Sequence, residues 1–290
     1  MIVTKIAGGL GNQLFQYAYG RALATRNDAE FKIDITPFKT FKLFPYSLSR
    51  FNVQMNHATD NELKPFLACR PRPGKLGRIL NPFLHDPKRY VLEGDFCFQP
   101  GKMNLKDPCY LDGYWLSEKY FLDIEDILRK EFTLREPMGS YSRSVAEKII
   151  AVENPVSLHI RRYDRVIDPY TNKLFGTTSP HYYEMAKKIV RENVKNPVYF
   201  VITDDLEWAR DNVHTGFPTE FIGQGQDKCH EDLELMRMCK HHILANSTFG
   251  WWGSWLSTHY RDGITVAPKF WNSKFDSEDL LPAHWTVLDL

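Results

Sequence analysis

Five short apolar runs divide the second half of the chain: Val156 to Ile160, Val198 to Thr203, Glu220 to Ile222, Ile243 to Ala245 and Ile264 to Ala267. They are too short for helices, rich in β-branched and aromatic residues, and largely without alternation, which is the pattern of strands buried in a parallel sheet. The segments between them, His181 to Asn193, Leu206 to Val213, Glu231 to Met238 and Thr248 to Leu256, carry helical spacing instead. Strand and helix in alternation predict a Rossmann-like α/β domain that opens near Ala151 to Pro155.

A second such unit opens the chain. Ile2 to Ile6 form a β-branched run, Gly8-Gly9-Leu10-Gly11 a glycine turn, and Leu14, Phe15, Ala18, Ala22 and Leu23 recur at helical spacing. Phe31, Ile33 and Ile35 then alternate with Lys32 and Asp34, completing a βαβ start. At 290 residues the chain exceeds what one core usually supports, so two domains are expected, 1–153 and 154–290. Between Lys39 and Pro108 the periodicity weakens. There Arg70-Pro71-Arg72-Pro73-Gly74-Lys75 reads as an irregular basic loop on the surface, with contact to an acceptor or to membrane phosphates as the other reading.

The balance of 37 basic against 36 acidic residues supplies no global field to draw the chain onto nucleic acid, so any anion site has to be local. Five scattered cysteines fit free thiols in a reducing compartment better than a disulfide framework. The strand-like start leaves no room for a secretory leader, and no apolar stretch of about 18 residues occurs. The expectation is a cytoplasmic protein, with peripheral attachment to the inner face of the membrane left open.

In doubly wound sheets, ligands bind beyond the carboxyl ends of the strands, and the polar motifs fall there. Gly9 and Gly11 would let backbone amides approach an anion at a helix N-terminus. No Gly-Lys-Ser/Thr follows, which excludes a P-loop. A dinucleotide fingerprint fits in part, with Asp34 as the ribose carboxylate but Leu14 at the third glycine position. His159-Ile160-Arg161-Arg162-Tyr163-Asp164 ends the Val156 to Ile160 strand. Two adjacent arginines there either pair with carboxylates such as Asp164 or hold a diphosphate through bidentate guanidinium forks. Asn246-Ser247-Thr248-Phe249 precedes a helix whose first turn offers another anion nest. Trp251, Trp252 and Trp255 on that helix read as core packing. Asp204 and Asp205 could cap the helix that starts at Leu206, meet a nucleoside or coordinate a metal. The run from Cys229-His230 to Cys239-Lys240-His241-His242 lacks zinc-ligand spacing.

These segments, with Gly113-Tyr114-Trp115-Leu116-Ser117-Glu118-Lys119-Tyr120-Phe121, resemble the signature blocks of glycosyltransferase family 11, in order from Gly8 to Pro268. The resemblance implies a GT-B fold: two facing Rossmann-like domains with a cleft between them, the first mainly for the acceptor and the second for the GDP-sugar. It implies an α1,2-fucosyltransferase of bacterial type, transferring L-fucose from GDP-β-L-fucose to O2 of a β-linked galactose in a glycan, with inversion and with no metal or other cofactor. By the same resemblance His159, Arg161, Arg162 and Asn12 hold the diphosphate, Ser247, Thr248 and the Phe249 amide complete the nest, and Asp204 or Asp205 lies near the nucleoside. Two positions depart from the family pattern: Tyr163 stands where a glycine is usual, and Gly250 replaces a common serine.

Asp164 and His159 are the first choices for a base on the acceptor hydroxyl, with Asp112 and Glu118 in reserve. Two rival functions remain: an NAD(P)-dependent oxidoreductase built on Gly9, Gly11 and Asp34, and a non-catalytic glycan-binding protein, which the 14% aromatic content would suit.

Overall fold

Two units make up the chain, residues 1–133 and 134–290; the computed structural model describes residues 1–40, 43–271 and 279–289, except for the side chains of 75–79 and 164. The first unit runs β1 (Ile2–Lys5), α1 (Leu10–Arg26), β2 (Phe31–Asp34), α2 (Asp60–Ala68), α3 (Gly74–Leu84), β3 (Tyr90–Leu92), β4 (Cys109–Asp112) and α4 (Glu125–Glu131). Its strands are all parallel, in the order β2-β1-β4-β3. The order reverses between β1 and β4, so the loops after these two strands meet at one edge. Helix α1 is buried around most of its circumference, with Leu14, Phe15, Ala18, Ala22 and Leu23 fully enclosed. It approaches the sheet most closely at Gly20, where a Cβ would collide with Thr4 Oγ1 of β1 and stand 2.8 Å from the Phe31 ring.

Two helices lie within the stretch of weak periodicity, and between them Arg70 to Pro73 form the expected loop. Helix α2 begins with a capping box: the Thr59 hydroxyl accepts from the Glu62 N–H at 3.4 Å, and the Glu62 carboxylate accepts from the Thr59 N–H at 2.8 Å. Gly74 and Lys75, read as loop, open α3 directly after Pro73.

The second unit runs α5 (Ser140–Ile150), β5 (Pro155–Ile160), α6 (Tyr163–Ile167), α7 (Pro169–Phe175), α8 (Pro180–Asn193), β6 (Val198–Thr203), α9 (Leu206–Asn212), β7 (Thr219–Ile222), α10 (Cys229–Arg237), β8 (His241–Ile243), α11 (Thr248–Trp255), β9 (Thr265–Pro268) and β10 (Thr286–Leu288). Its parallel sheet has the order β10-β9-β8-β5-β6-β7, the doubly wound arrangement in which the chain builds outward from β5, then returns to its other side. Val156, Leu158, Tyr199, Val201, Ile243 and Val266 from the four central strands form the core with Tyr182, Ala186 and Val190 of α8.

Helix α5, expected in the first domain, belongs to the second unit. The Gly139 N–H that precedes it donates to the Glu231 carboxylate at 3.0 Å, and Gln224 Nε2 donates to Ser142 Oγ at 2.8 Å. Strand β8 occupies His241–Ile243 rather than Ile243 to Ala245, because the two histidines are buried strand residues. His242 Nδ1 lies 2.7 Å from Ser157 Oγ on β5, and burial lowers the pKa of this imidazole to about 3, so it stays neutral. Trp251, Trp252 and Trp255 are fully buried, with ring centroids 4.9 to 6.0 Å apart, as core residues should be. Among the described residues no helix is long and apolar enough to cross a membrane.

Candidate active site

The reversal of strand order in the second unit falls between β5 and β8. The register Leu158↔Ile243 sets the exit of β5 beside that of β8, and Ile160↔Thr203 sets it beside that of β6. Three chain segments far apart in sequence therefore meet at one edge: Arg161 and Arg162, Asp204 and Asp205, and Asn246 to Phe249.

The two arginines pair with the carboxylates after β6. Arg161 Nη1 lies 2.8 Å from Asp204 Oδ2, and Arg162 Nε lies 3.3 Å from Asp205 Oδ2. The Arg162 N–H also donates to Asp204 Oδ1 at 2.8 Å, and its guanidinium sits 4.2 Å over the Trp208 ring. Asp205 caps α9, accepting from the Trp208 N–H at 3.3 Å. Among the described residues the pairing partners are Asp204 and Asp205; the side chain of Asp164, the carboxylate expected from the sequence, lies outside the described residues. Asp204 and Asp205 thus hold the two arginines in place. Both arginines keep part of their surface exposed, where a planar fork can meet phosphate oxygens.

Ser247 is the N-cap residue of α11, and no hydrogen bond to its side chain closes the cap. Ser247, Thr248 and Phe249 are half-buried at the helix start, where the first N–H groups of any helix have no intrahelical acceptor. Cation forks from β5 and a helix N-terminus from β8 converge on the same edge, an arrangement suited to a phosphate group.

Asn246 is the clamp beneath this nest, and its side chain is spent on the protein itself. Its Oδ1 accepts from Arg165 Nη1 and from Thr178 Oγ1 at 3.1 Å, its Nδ2 donates to the Phe175 carbonyl at 2.8 Å, and its own carbonyl accepts from Arg165 Nη2 at 2.6 Å. Arg165 is a site residue the sequence reading missed. It is buried, it bonds the Gly176 carbonyl at 3.0 Å as well as Asn246, and it ties α6 to the end of β8. The signal was present as a third basic residue one helical turn beyond the arginine pair.

His159 does not suit the role of base. It is buried beneath the arginines, and burial together with Arg161 and Arg165 lowers its pKa to about 3. Gly250 packs against this ring, where a Cβ would stand 2.5 Å from His159 Nδ1. A side chain there would require the imidazole to move.

In the first unit, the left-handed residue of the glycine turn is Gly8, at φ +81°, while Gly9 caps α1 in an extended conformation and Gly11 lies inside the helix. A Cβ on Gly8 would be 3.0 Å from Asn12 Nδ2. Buried Gln13 fixes the loop, donating to the Gly8 and Pro45 carbonyls at 2.8 Å and accepting from the Ser47 N–H. Gln16 links the exits of β1 and β4, accepting from Ala7 N–H and donating to the Gly113 carbonyl.

Asp34 is 2% exposed, and its two oxygens accept from the Tyr110 hydroxyl at 2.6 Å and the Thr36 N–H at 2.8 Å. It has no face left for a ribose, which removes the carboxylate the oxidoreductase reading needs. Asp112 is similarly committed, to Lys5 Nζ at 2.7 Å and the Tyr90 hydroxyl at 2.5 Å. Glu118 opens a single turn of 3-10 helix over Glu118–Tyr120 and is half-buried.

A carboxylate that no sequence signal marks stands nearby. Glu93, after β3, accepts from the Tyr114 and Trp115 N–H groups at 2.6 and 2.9 Å, and so fixes the turn in which Trp115 has φ +58°. Burial raises its pKa to about 7 despite these two donors. Among the described residues no group of three His, Cys, Asp or Glu side chains could hold a metal ion.

Two α/β units with parallel sheets, one presenting paired arginines and a helix N-terminus at its strand-order reversal, define a glycosyltransferase of the GT-B type. Residues 79–289 match the family model for glycosyl transferase family 11, and the chain belongs to that family. It is 32% identical to an alpha-1,2-colitosyltransferase of Escherichia coli, over 100% of this chain and 99% of that one. To human galactoside alpha-(1,2)-fucosyltransferase 1 it is 28% identical, over 64% of this chain and 54% of that protein. A mutant of Arabidopsis thaliana FUT1 in complex with GDP shares its fold, with a TM-score of 0.53 at 14% identity, over 91% of this chain and 69% of that one.

Proposed function

We propose that the protein transfers L-fucose from GDP-β-L-fucose to O2 of a β-linked galactose, with inversion and without a metal ion. The C1–O bond to the diphosphate breaks, the bond from galactose O2 to C1 forms, the hydroxyl proton passes to a base, and GDP leaves. The observation that carries this reading is the pair Arg161 and Arg162, held by Asp204 and Asp205 next to the N-terminus of α11. Guanidinium forks and backbone dipoles fixed in advance stabilise charge that develops on a leaving diphosphate.

The α-1,2 linkage is supported by the names of both relatives, and the colitosyltransferase favours a second reading of the donor. Colitose is fucose without its 3-hydroxyl. A site that hydrogen-bonds that hydroxyl rejects the deoxy sugar by a factor of about 10⁴ or more, whereas a site that ignores it discriminates weakly. The test is GDP release with GDP-fucose, GDP-colitose or neither, plus a β-galactoside acceptor, in the presence and absence of EDTA. Turnover of GDP-fucose unaffected by EDTA is expected. Preference for GDP-colitose would reassign the donor, and activity restored only by manganese would overturn the metal-free mechanism.

Glu93 gives both oxygens to the Tyr114 and Trp115 N–H groups, so its part is to hold the Trp115 turn of the first unit. Burial raises its pKa to about 7, and a group that binds its proton more tightly folded than unfolded contributes stability that is lost as pH rises toward 7. In Glu93→Gln that part of the pH dependence of urea unfolding should disappear. An unchanged dependence in the variant would show that Glu93 does not set it.

A further inference from the structure

The strongest feature outside the active site is the α2–α3 segment of the first unit. From Leu63 to His85 the chain carries Lys64, Arg70, Arg72, Lys75 and Arg78 and no Asp or Glu, although the whole sequence is nearly balanced in charge. Large apolar side chains in the same segment face solvent: Phe83 is 84% exposed, Leu84 42% and Leu67 44%. A phenylalanine exposed to that degree is held in water at a cost, because removing its ring from water is favourable.

The segment is a built surface. Asn81 of α3 accepts from the Arg72 N–H at 2.8 Å and donates to the Arg72 carbonyl at 3.0 Å. His85 Nδ1 lies 2.8 Å from the Cys69 carbonyl at the end of α2. These ties hold the exposed Arg70 and Arg72 alongside the C-terminal half of α3, next to Phe83 and Leu84. Beneath them Leu63 and Phe66 of α2 anchor the segment in a cluster with Val3, Tyr90 and Tyr110.

We propose that this surface docks the enzyme on an anionic lipid bilayer. Basic side chains would meet lipid phosphates while Phe83, Leu84 and Leu67 enter the boundary between headgroups and acyl chains. A protein partner is disfavoured by the charge pattern: between Glu62 and Asp86 every charged residue of the sequence is basic, as a uniformly negative membrane face requires. The docking is independent of the chemistry proposed above, because none of these residues belongs to the strand ends that carry the site.

The experiment is co-sedimentation of the full chain with vesicles of phosphatidylcholine, with and without phosphatidylglycerol. Binding is expected to the anionic vesicles only, and to weaken with salt. The double variant Arg70→Gln, Arg72→Gln should bind the anionic vesicles about thirtyfold more weakly, at about fivefold per basic residue. Phe83→Ser should also weaken binding severalfold, while transfer to a soluble acceptor stays at the native rate in both variants. Equal binding to neutral vesicles, no binding to anionic ones, or native binding by both variants would each overturn the proposal.

Discussion

Sugar transfer by an Arg161→Ala protein is expected to fall at least about a hundredfold with the fold intact, the loss of roughly 3 kcal/mol that follows removal of one preorganised donor to a developing anion. The fold should survive because Asp204, left without Arg161, still accepts from the Arg162 N–H at 2.8 Å and keeps some contact with water. Arg161→Lys tests the fork itself: it keeps the charge and loses the planar pair of donors. GDP release at saturating acceptor measures the rate, and a thermal melt separates lost chemistry from lost structure. A near-native rate in a folded Arg161→Ala protein would remove the diphosphate from the arginine pair.

Trp251→Ala should lower the unfolding free energy by about 3–5 kcal/mol, the usual range for deleting a buried large aromatic. The Trp251 ring is fully enclosed, 4.9 Å from Trp252, 6.0 Å from Trp255 and 5.8 Å from Trp285 between centroids. Its Nε1–H donates to the Leu280 carbonyl at 2.8 Å, so truncation also strands an acceptor. A stacking platform for a sugar or base would behave in the opposite way, with stability kept and KM raised. Urea unfolding decides between them, and a loss under about 1 kcal/mol would refute the core assignment.

Much of this was legible in the chain itself, and what was not has definite physical reasons. The strands and helices of the second unit show in the sequence because buried parallel strands are apolar on both faces. β8 was displaced by two residues because its histidines are buried and neutral, and a buried imidazole looks like a polar residue in sequence. Helix α2 announces itself through Thr59 and Glu62, a capping pair that weak apolar periodicity hid. For the arginine pair the sequence offered a nearby carboxylate such as Asp164 or a diphosphate, and it could not show a distant partner. The register of β5 on β6 brings in Asp204, 42 residues from Arg162. Long-range register also explains Glu93, whose importance comes from the turn it holds after β4. The glycine turn lies where the sequence placed it, and within it Gly8 bears the left-handed conformation, which spacing alone could not assign.

The strand order of the second unit has a bearing on how this protein matures. Strand β8 joins the sheet between β5 and β9 after the outer strands on the other side have been synthesised. A growing or partly denatured chain that has assembled only β5, β6 and β7 owns the arginines and their acids but lacks the opposing helix start. Under the function proposed above, tight donor binding would require β8 and α11 to be in place, and a bound nucleotide would stabilise the completed sheet as its concentration rises.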